Sequence, residues 1–295
     1  MINRLQEIFD AKWLIHRDVI LSYIPIFISF LNGSTLSALE NKAALKPYAR
    51  SGDINLTMCY DLTSSDIPSN SVAVIPIQGV LVSWVTMDIV RYIQMAEANP
   101  NIIAILFLTN TPGGMVFYID IAAAAIKKSP LPSVAYVMNM AASSGQWLIS
   151  SAKRIFASSP MDQFGCIGTM TTYIDMMGFL KDKLGFTIID IYASKSTRKN
   201  EAIRKLQDTS LTMEERTADV VDQLDFVNEF FHKAIRDNLG IKKDSEVFTG
   251  ASYYAQQAID LGLAHEINTL DYAINYAYKL GLANNIKNQF NKSKT

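Results

Sequence analysis

IIAILFLTNTPGG, residues 102–114, opens with seven apolar residues in a row and closes on a proline and two glycines. An amphipathic helix would break such a run every three or four positions, and a strand wet on one face would alternate. Seven unbroken apolar side chains fit a strand buried on both faces, as in a parallel sheet covered by helices. At its end Pro112 fixes a turn, and Gly113 and Gly114 let backbone N–H groups approach a ligand closely. No Gly-Lys-Ser/Thr follows, so this is not a phosphate-binding loop.

The same pattern continues on both sides. Val72–Ile77 is rich in β-branched residues and Met87–Ala98 has helical periodicity. Helix is expected from about Val116 to Lys127, strand over Ser133–Met138, helix through Ser151, and a short strand at Ile155–Ala157. Phe186–Tyr192 reads as a further strand. Thr212-Met-Glu-Glu215 is a capping box opening a long helix, in which Val220, Leu224, Val227, Phe231 and Ala234 form the apolar face and Gly240 the stop. Residues 71–283 thus read as one α/β domain. Residues 1–60 read as a mostly helical accessory segment, 61–70 as a polar linker, and 284–295 as a flexible tail.

Composition narrows the function. With 49% hydrophobic and 19% charged residues the chain is globular, and a net charge of −1 gives no general pull toward nucleic acid. Cys59 and Cys166 stand far apart and point to a reducing compartment or at most one bridge. His16, His232 and His265 are scattered, so no metal cluster or cofactor is expected. The apolar run Val19–Leu31 has thirteen residues and is interrupted by Pro25, short of the roughly 20 needed to cross a bilayer. It reads as a buried or partner-facing helix, with contact to a membrane surface as the alternative.

Ligands of open parallel sheets bind beyond the carboxyl ends of the strands, and three such junctions here are built of small residues. The first is Asn110-Thr-Pro-Gly-Gly114. The second lies in MNMAASSGQWLISSA, residues 138–152, with Ser143 and Ser144 where a strand passes into a helix. A serine there caps the helix or, alternatively, offers its Oγ for chemistry. Ser150 and Ser151, two turns on, read as packing or surface residues, and Trp147 as core or pocket wall. The third junction is Gly165-Cys-Ile-Gly168.

In order and spacing these stations resemble the signal peptide peptidase A family of serine peptidases, which includes the phage head maturation proteases. Val72-Ala-Val-Ile-Pro-Ile-Gln-Gly-Val80 is similar to the family's opening strand, and Asn110-Thr-Pro-Gly-Gly114 to its D-S-P-G-G. Met140-Ala-Ala-Ser-Ser-Gly145 with Ile155-Phe-Ala-Ser158 resembles M-A-A-S-G-G followed by I-x-A-S. Gly165-Cys-Ile-Gly168 stands for G-S-I-G, and Val247-Phe-Thr-Gly250 with Ala258–Leu263 for V-F-T-G and L-G-L-V-D. The likeness spans about residues 70–270. It implies a Clp protease/crotonase-like superhelix of ββα units, with Ser143 as nucleophile and the N–H groups of Gly114 and Ser144 as oxyanion hole. Ser144 stands where the family has glycine. Because the hole is backbone, a valine at Gly114 is expected to weaken it while leaving folding largely intact.

The resemblance also implies the base. Clp protease uses a histidine about 25 residues past its serine, and Met161–Thr171 contains none. His232 and His265 read as satisfied surface or core histidines. The signal peptide peptidase family uses a lysine after a strand, and Ser194-Lys-Ser-Thr-Arg-Lys-Asn200 follows Phe186–Tyr192. Lys199 matches best, with Lys195 as the alternative; a lysine acts as base only once deprotonated, which burial beside a substrate favours. The implied function is a Ser-Lys endopeptidase that processes scaffold or portal-associated protein in phage capsid assembly, as a homo-oligomer in the host cytoplasm, without cofactor and without nucleic acid. The alternatives are a membrane-associated signal peptide peptidase, a crotonase-like acyl-CoA enzyme, and an inactive assembly protein.

Overall fold

A computed structural model describes residues 13–15, 46–51, 59–173, 175, 177–183, 185, 187 and 189–292. The elements are β1 (Trp13–Ile15), β2 (Tyr48–Ser51), β3 (Ser71–Gln78), α1 (Ser83–Ala98), β4 (Ile102–Thr111), β5 (Gly113–Met115), α2 (Ile119–Lys128), β6 (Ser133–Ala142) and α3 (Ser144–Ser150). There follow β7 (Arg154–Ala157), β8 (Gln163–Gly165), α4 (Met177–Asp182), α5 (Glu201–Gln207), α6 (Met213–Leu239), β9 (Ser252–Tyr254), α7 (Ala255–Asp260), β10 (Glu266–Ile267) and α8 (Leu270–Lys292).

The main sheet runs β10-β7-β6-β4-β3-β2. Its first five strands are parallel, and β2 closes the β3 edge antiparallel. Alternation explains the unbroken apolar runs. Val72, Val74, Ala104, Leu106, Val134 and Tyr136 point to one face, where Ala273, Ile274 and Ala277 of α8 cover them. Ala73, Ile75, Ile105, Phe107, Ala135 and Val137 point to the other, under α1, α2, α3 and α6. Both faces are therefore dry, as the 102–108 run requires. The α/β class and the parallel sheet expected from the sequence are what the chain forms.

Strand β6 forks, and the fork positions the site. Val134–Val137 pairs with β7, while Met140–Ala142 pairs with β8, which in turn pairs with β9. Between the halves Asn139 takes φ 74°. The carboxylate of Asp162, 3% exposed, fills the fork. It accepts the N–H groups of Asn139 (2.7 Å), Ser158 (2.6 Å) and Ser159 (2.9 Å), and the Ser158 hydroxyl (2.9 Å). An acceptor-only side chain suits a place where splitting strands leave amides without ladder partners.

Several expectations change. In the N-terminal segment Trp13–Ile15 and Tyr48–Ser51 are strands; Val19–Leu31 and most of the segment expected to be helical lie outside the described residues. Of the strand expected at Phe186–Tyr192, Phe186 and Ile188 lie outside the described residues. The others form no strand, and Ile189 and Ile191 are 74% and 90% exposed. Its described residues pair with no neighbouring strand that could bury them. Helix α8 continues to Lys292, past the expected start of the tail, and Asn284 Nδ2 donates to Pro130 O at 3.0 Å. Helix α6 has the expected capping box at Thr212 and the left-handed Gly240 at its end. Its expected apolar face is fully buried only at Phe231; Val220, Leu224, Val227 and Ala234 are half-buried.

Candidate functional site

Ser143 sits between the last residue of β6 and the first of α3, with φ 54° and ψ −121°. Its N–H donates to Gly165 O (2.8 Å) and its carbonyl accepts the first helical bond, from Trp147 N–H (3.1 Å). The backbone therefore stands at an N-cap position, but the side chain does no capping. Oγ is fully buried and has no hydrogen-bond partner. A capping serine would bond an amide of the first turn. Here a non-glycine residue holds a sparsely populated conformation, at about 1–3 kcal/mol, and a buried hydroxyl goes unsatisfied, at about 1–3 kcal/mol. Both costs fall on one side chain at a strained strand-to-helix turn, and a capping role accounts for neither.

The small residues around it exist for close approach. Ala141 is paired with Thr111 across the sheet. A Cβ on Gly145 would lie 2.4 Å from Thr111 Cγ2, so the helix seats on that threonine only because residue 145 has no side chain. Thr111 also fixes the glycine turn: its Oγ1 donates to Gly79 O (2.6 Å) and accepts Gly113 N–H (3.1 Å). Gln146, fully buried, donates from Nε2 to Leu263 O (3.1 Å) and accepts Gly165 N–H at Oε1 (3.3 Å). Thr111 and Gln146 lie within the quoted stretches 110–114 and 138–152, but neither they nor Asp162 carry a role expected from the sequence. For Thr111 and Gln146 the signal is a polar side chain beside an otherwise apolar or small-residue run.

Ser150, Ser151 and Trp147 make packing contacts, as expected. Ser150 Oγ donates to Trp147 O (2.7 Å), and Asn238 Nδ2 donates to Ser150 Oγ (2.9 Å) and Ser151 Oγ (3.2 Å). Trp147 stacks on Phe231 with centroids 5.0 Å apart. Ser144 is fully buried at the head of α3.

The glycine turn has one consequence that residue types alone do not reveal. Leu81 N–H donates to Gly113 O (2.9 Å), and Met115 N–H donates to Leu81 O (2.7 Å). Across a planar trans peptide the carbonyl and the N–H point in opposite directions. The N–H and the carbonyl of Gly114 therefore both face away from Leu81. A Cβ on Gly114 would lie 2.0 Å from Leu81 O. The expectation that valine at 114 leaves folding intact is thus corrected: any side chain there must displace the Leu81 backbone.

Lys195 and Lys199 are both exposed, in a segment of turns, whereas Ser143 is buried. The chain as it stands does not bring either lysine to the Ser143 hydroxyl. Cys166, in the third junction, has φ 52°, and its N–H donates to Ala251 O (2.7 Å). Burial pushes its thiol pKa up, with a hydrogen bond to Ser252 opposing. His265 is structural: its Nδ1 accepts Ile155 N–H at 3.1 Å. The ring of His232 packs 4.7 Å from Phe248, and its Nε2 is buried without a partner.

Burial lowers the pKa of both histidines below their usual 6.5, with Arg154 adding to the effect at His265 and Glu229 opposing it at His232. The unfolded chain then binds these protons more readily than the folded one. Their contribution to stability is full above about pH 6.5 and declines as pH falls below it. Urea midpoints are expected to drop between about pH 7 and about pH 5, and to drop less in a His232→Gln/His265→Gln variant. An unchanged slope in that variant would place the acid sensitivity on other groups.

Among the described residues no group of three His, Cys, Asp or Glu is placed to hold a metal ion, and no helix is long and apolar enough to cross a membrane. Over 220 residues the chain is 30% identical to capsid assembly protease C of Escherichia phage lambda, covering 68% of this chain and 48% of that protein. It thus spans about half the length of that curated relative. Among solved structures, a mutant of the 1510-N membrane-bound stomatin-specific protease is 17% identical, with a TM-score of 0.43 over 66% of this chain and 78% of that one. A mutant of ClpP1 from Listeria monocytogenes is 15% identical, with a TM-score of 0.44 over 68% and 94%. Residues 125–284, from within α2 to within α8 and including Ser143, match the Peptidase family S49. The chain belongs to peptidase family S49.

Proposed function

We propose that the chain is a serine endopeptidase with Ser143 as nucleophile and Lys199 as general base. The supporting observation is the buried, unpartnered Ser143 Oγ on a strained strand-to-helix turn. In this reading Oγ attacks a peptide carbonyl while Lys199 takes its proton and passes it to the leaving amine. The N–H groups of Gly114 and Ser144 receive the negative charge that develops on the carbonyl oxygen. Water then hydrolyses the acyl-enzyme, with the lysine again moving the proton. Because both lysines are exposed in the present arrangement, the reading requires the 193–200 segment to close over the serine when substrate binds or copies assemble.

The substrate we infer is scaffold or portal-associated protein during capsid assembly, in the host cytoplasm, acted on by a homo-oligomer. The resemblance to a capsid assembly protease supports this choice. The test is mass spectrometry of new chain termini after incubation with unfolded protein substrates. New termini are expected with the wild-type chain and none with Ser143→Ala. Hydrolysis of acyl-CoA thioesters without any peptide cleavage would favour a crotonase-like enzyme instead.

A further inference from the structure

The outer edge of the glycine strand is occupied by the chain itself. Strand β5 has two neighbours. On one side is Leu81, through the bridge to Gly114. On the other is β1, antiparallel, with Trp13 facing Met115, Leu14 facing Gly114 and Ile15 facing Gly113. The peptide groups flanking Gly114 are oriented by Leu81, so the Gly114 N–H and carbonyl lie on the β1 edge. In an antiparallel ladder such a facing pair exchanges both hydrogen bonds. Leu14 therefore covers the amide of Gly114, while the N–H groups of Trp13 and Ile15 point away from β5.

An edge strand with unpaired N–H and carbonyl groups is a template for any extended peptide. Strand β5 runs beside the site: its turn is held by Thr111, the same side chain on which Gly145 of the Ser143 helix rests. Under the peptidase reading an extended polypeptide substrate pairs with this edge, and we propose that Trp13–Ile15 is the edge's built-in occupant, which must leave before substrate can bind. The inference rests on the peptidase reading, because only a peptidase has reason to present an extended-peptide edge beside its nucleophile. The N-terminal segment then acts as an internal competitor, and whatever withdraws it switches the site on.

The experiment compares the full-length chain with Leu14→Pro and Ile15→Pro. Proline at 14 removes the N–H that pairs with Gly114; proline at 15 removes one that points away, which an edge strand tolerates. The readouts are amide exchange at Gly114 and the rate at which a phosphonate probe modifies Ser143. In the wild-type chain the Gly114 amide is expected to be protected. Leu14→Pro is expected to lose at least about 10-fold of that protection and to react at least about 10-fold faster at Ser143, with Ile15→Pro close to wild type. An unprotected Gly114 amide in the wild-type chain overturns the inference even where the proline variants fail to fold. So does equal reaction of Ser143 in wild type and a folded Leu14→Pro, which leaves the peptidase reading standing. No reaction of Ser143 in either protein overturns the peptidase reading, and the competitor role with it.

Discussion

Ser143→Gly is expected to melt at a higher temperature than the wild-type chain and to have no measurable peptidase activity. Residue 143 holds φ 54° with ψ −121°, where a Cβ is crowded and glycine is at ease. Removing the side chain relieves about 1–3 kcal/mol of backbone strain and removes a buried hydroxyl that has no partner. The greater flexibility of glycine in the unfolded chain takes back about 0.5–1 kcal/mol, leaving a net gain on the order of 1 kcal/mol and a rise in Tm of a few degrees. Ser143→Ala keeps the Cβ and its strain, so it should melt below Ser143→Gly. Both lose the nucleophile, and turnover should fall on the order of 10⁶-fold. Thermal melts and progress curves on the three proteins check this. Ser143→Gly melting below Ser143→Ala would show that position 143 is not strained, and residual turnover in both would remove it from the chemistry.

Lys199→Arg should lose about 10²–10⁴-fold in turnover, the contribution of a general base, while Lys195→Arg stays near wild type. Arginine keeps the charge and most of the reach but does not deprotonate. The two lysines are exposed on the same segment, so the pair controls for surface charge and local folding. His232→Gln completes the comparison, because the His232 imidazole has a buried, unpartnered Nε2. An active Lys199→Arg beside an inactive His232→Gln would move the base from the lysine to the histidine.

Much of this molecule could be read from its sequence because local and tertiary demands coincide in the sheet. The runs at 72–77, 102–108 and 133–138 are apolar on both faces, and both faces are covered. Thr212 and Gly240 bound their helix as their side-chain chemistry dictates. The Ala-Ala-Ser-Ser-Gly junction pointed to Ser143, though only coordinates reveal that its hydroxyl declines the cap. What stayed hidden depends on long-range pairing. Asp162 in the β6 fork, Thr111 beneath Gly145 and Gln146 between Gly165 and Leu263 act on residues far along the chain. Phe186–Tyr192 reads as a strand in the sequence, yet a strand needs a neighbour, and its described residues have none. The lack of room at Gly114 is hidden for the same reason, since Leu81 comes from another turn.

The central claim is that Ser143 is the nucleophile. The most direct measurement is mass spectrometric mapping of the site modified when the full-length chain reacts with a serine-directed phosphonate. The account predicts a single adduct on the peptide carrying Ser143, absent in Ser143→Ala and retained at least in part in Ser144→Ala. An adduct that persists unchanged in Ser143→Ala, or that maps to Ser144, Ser150 or Ser151, would contradict it.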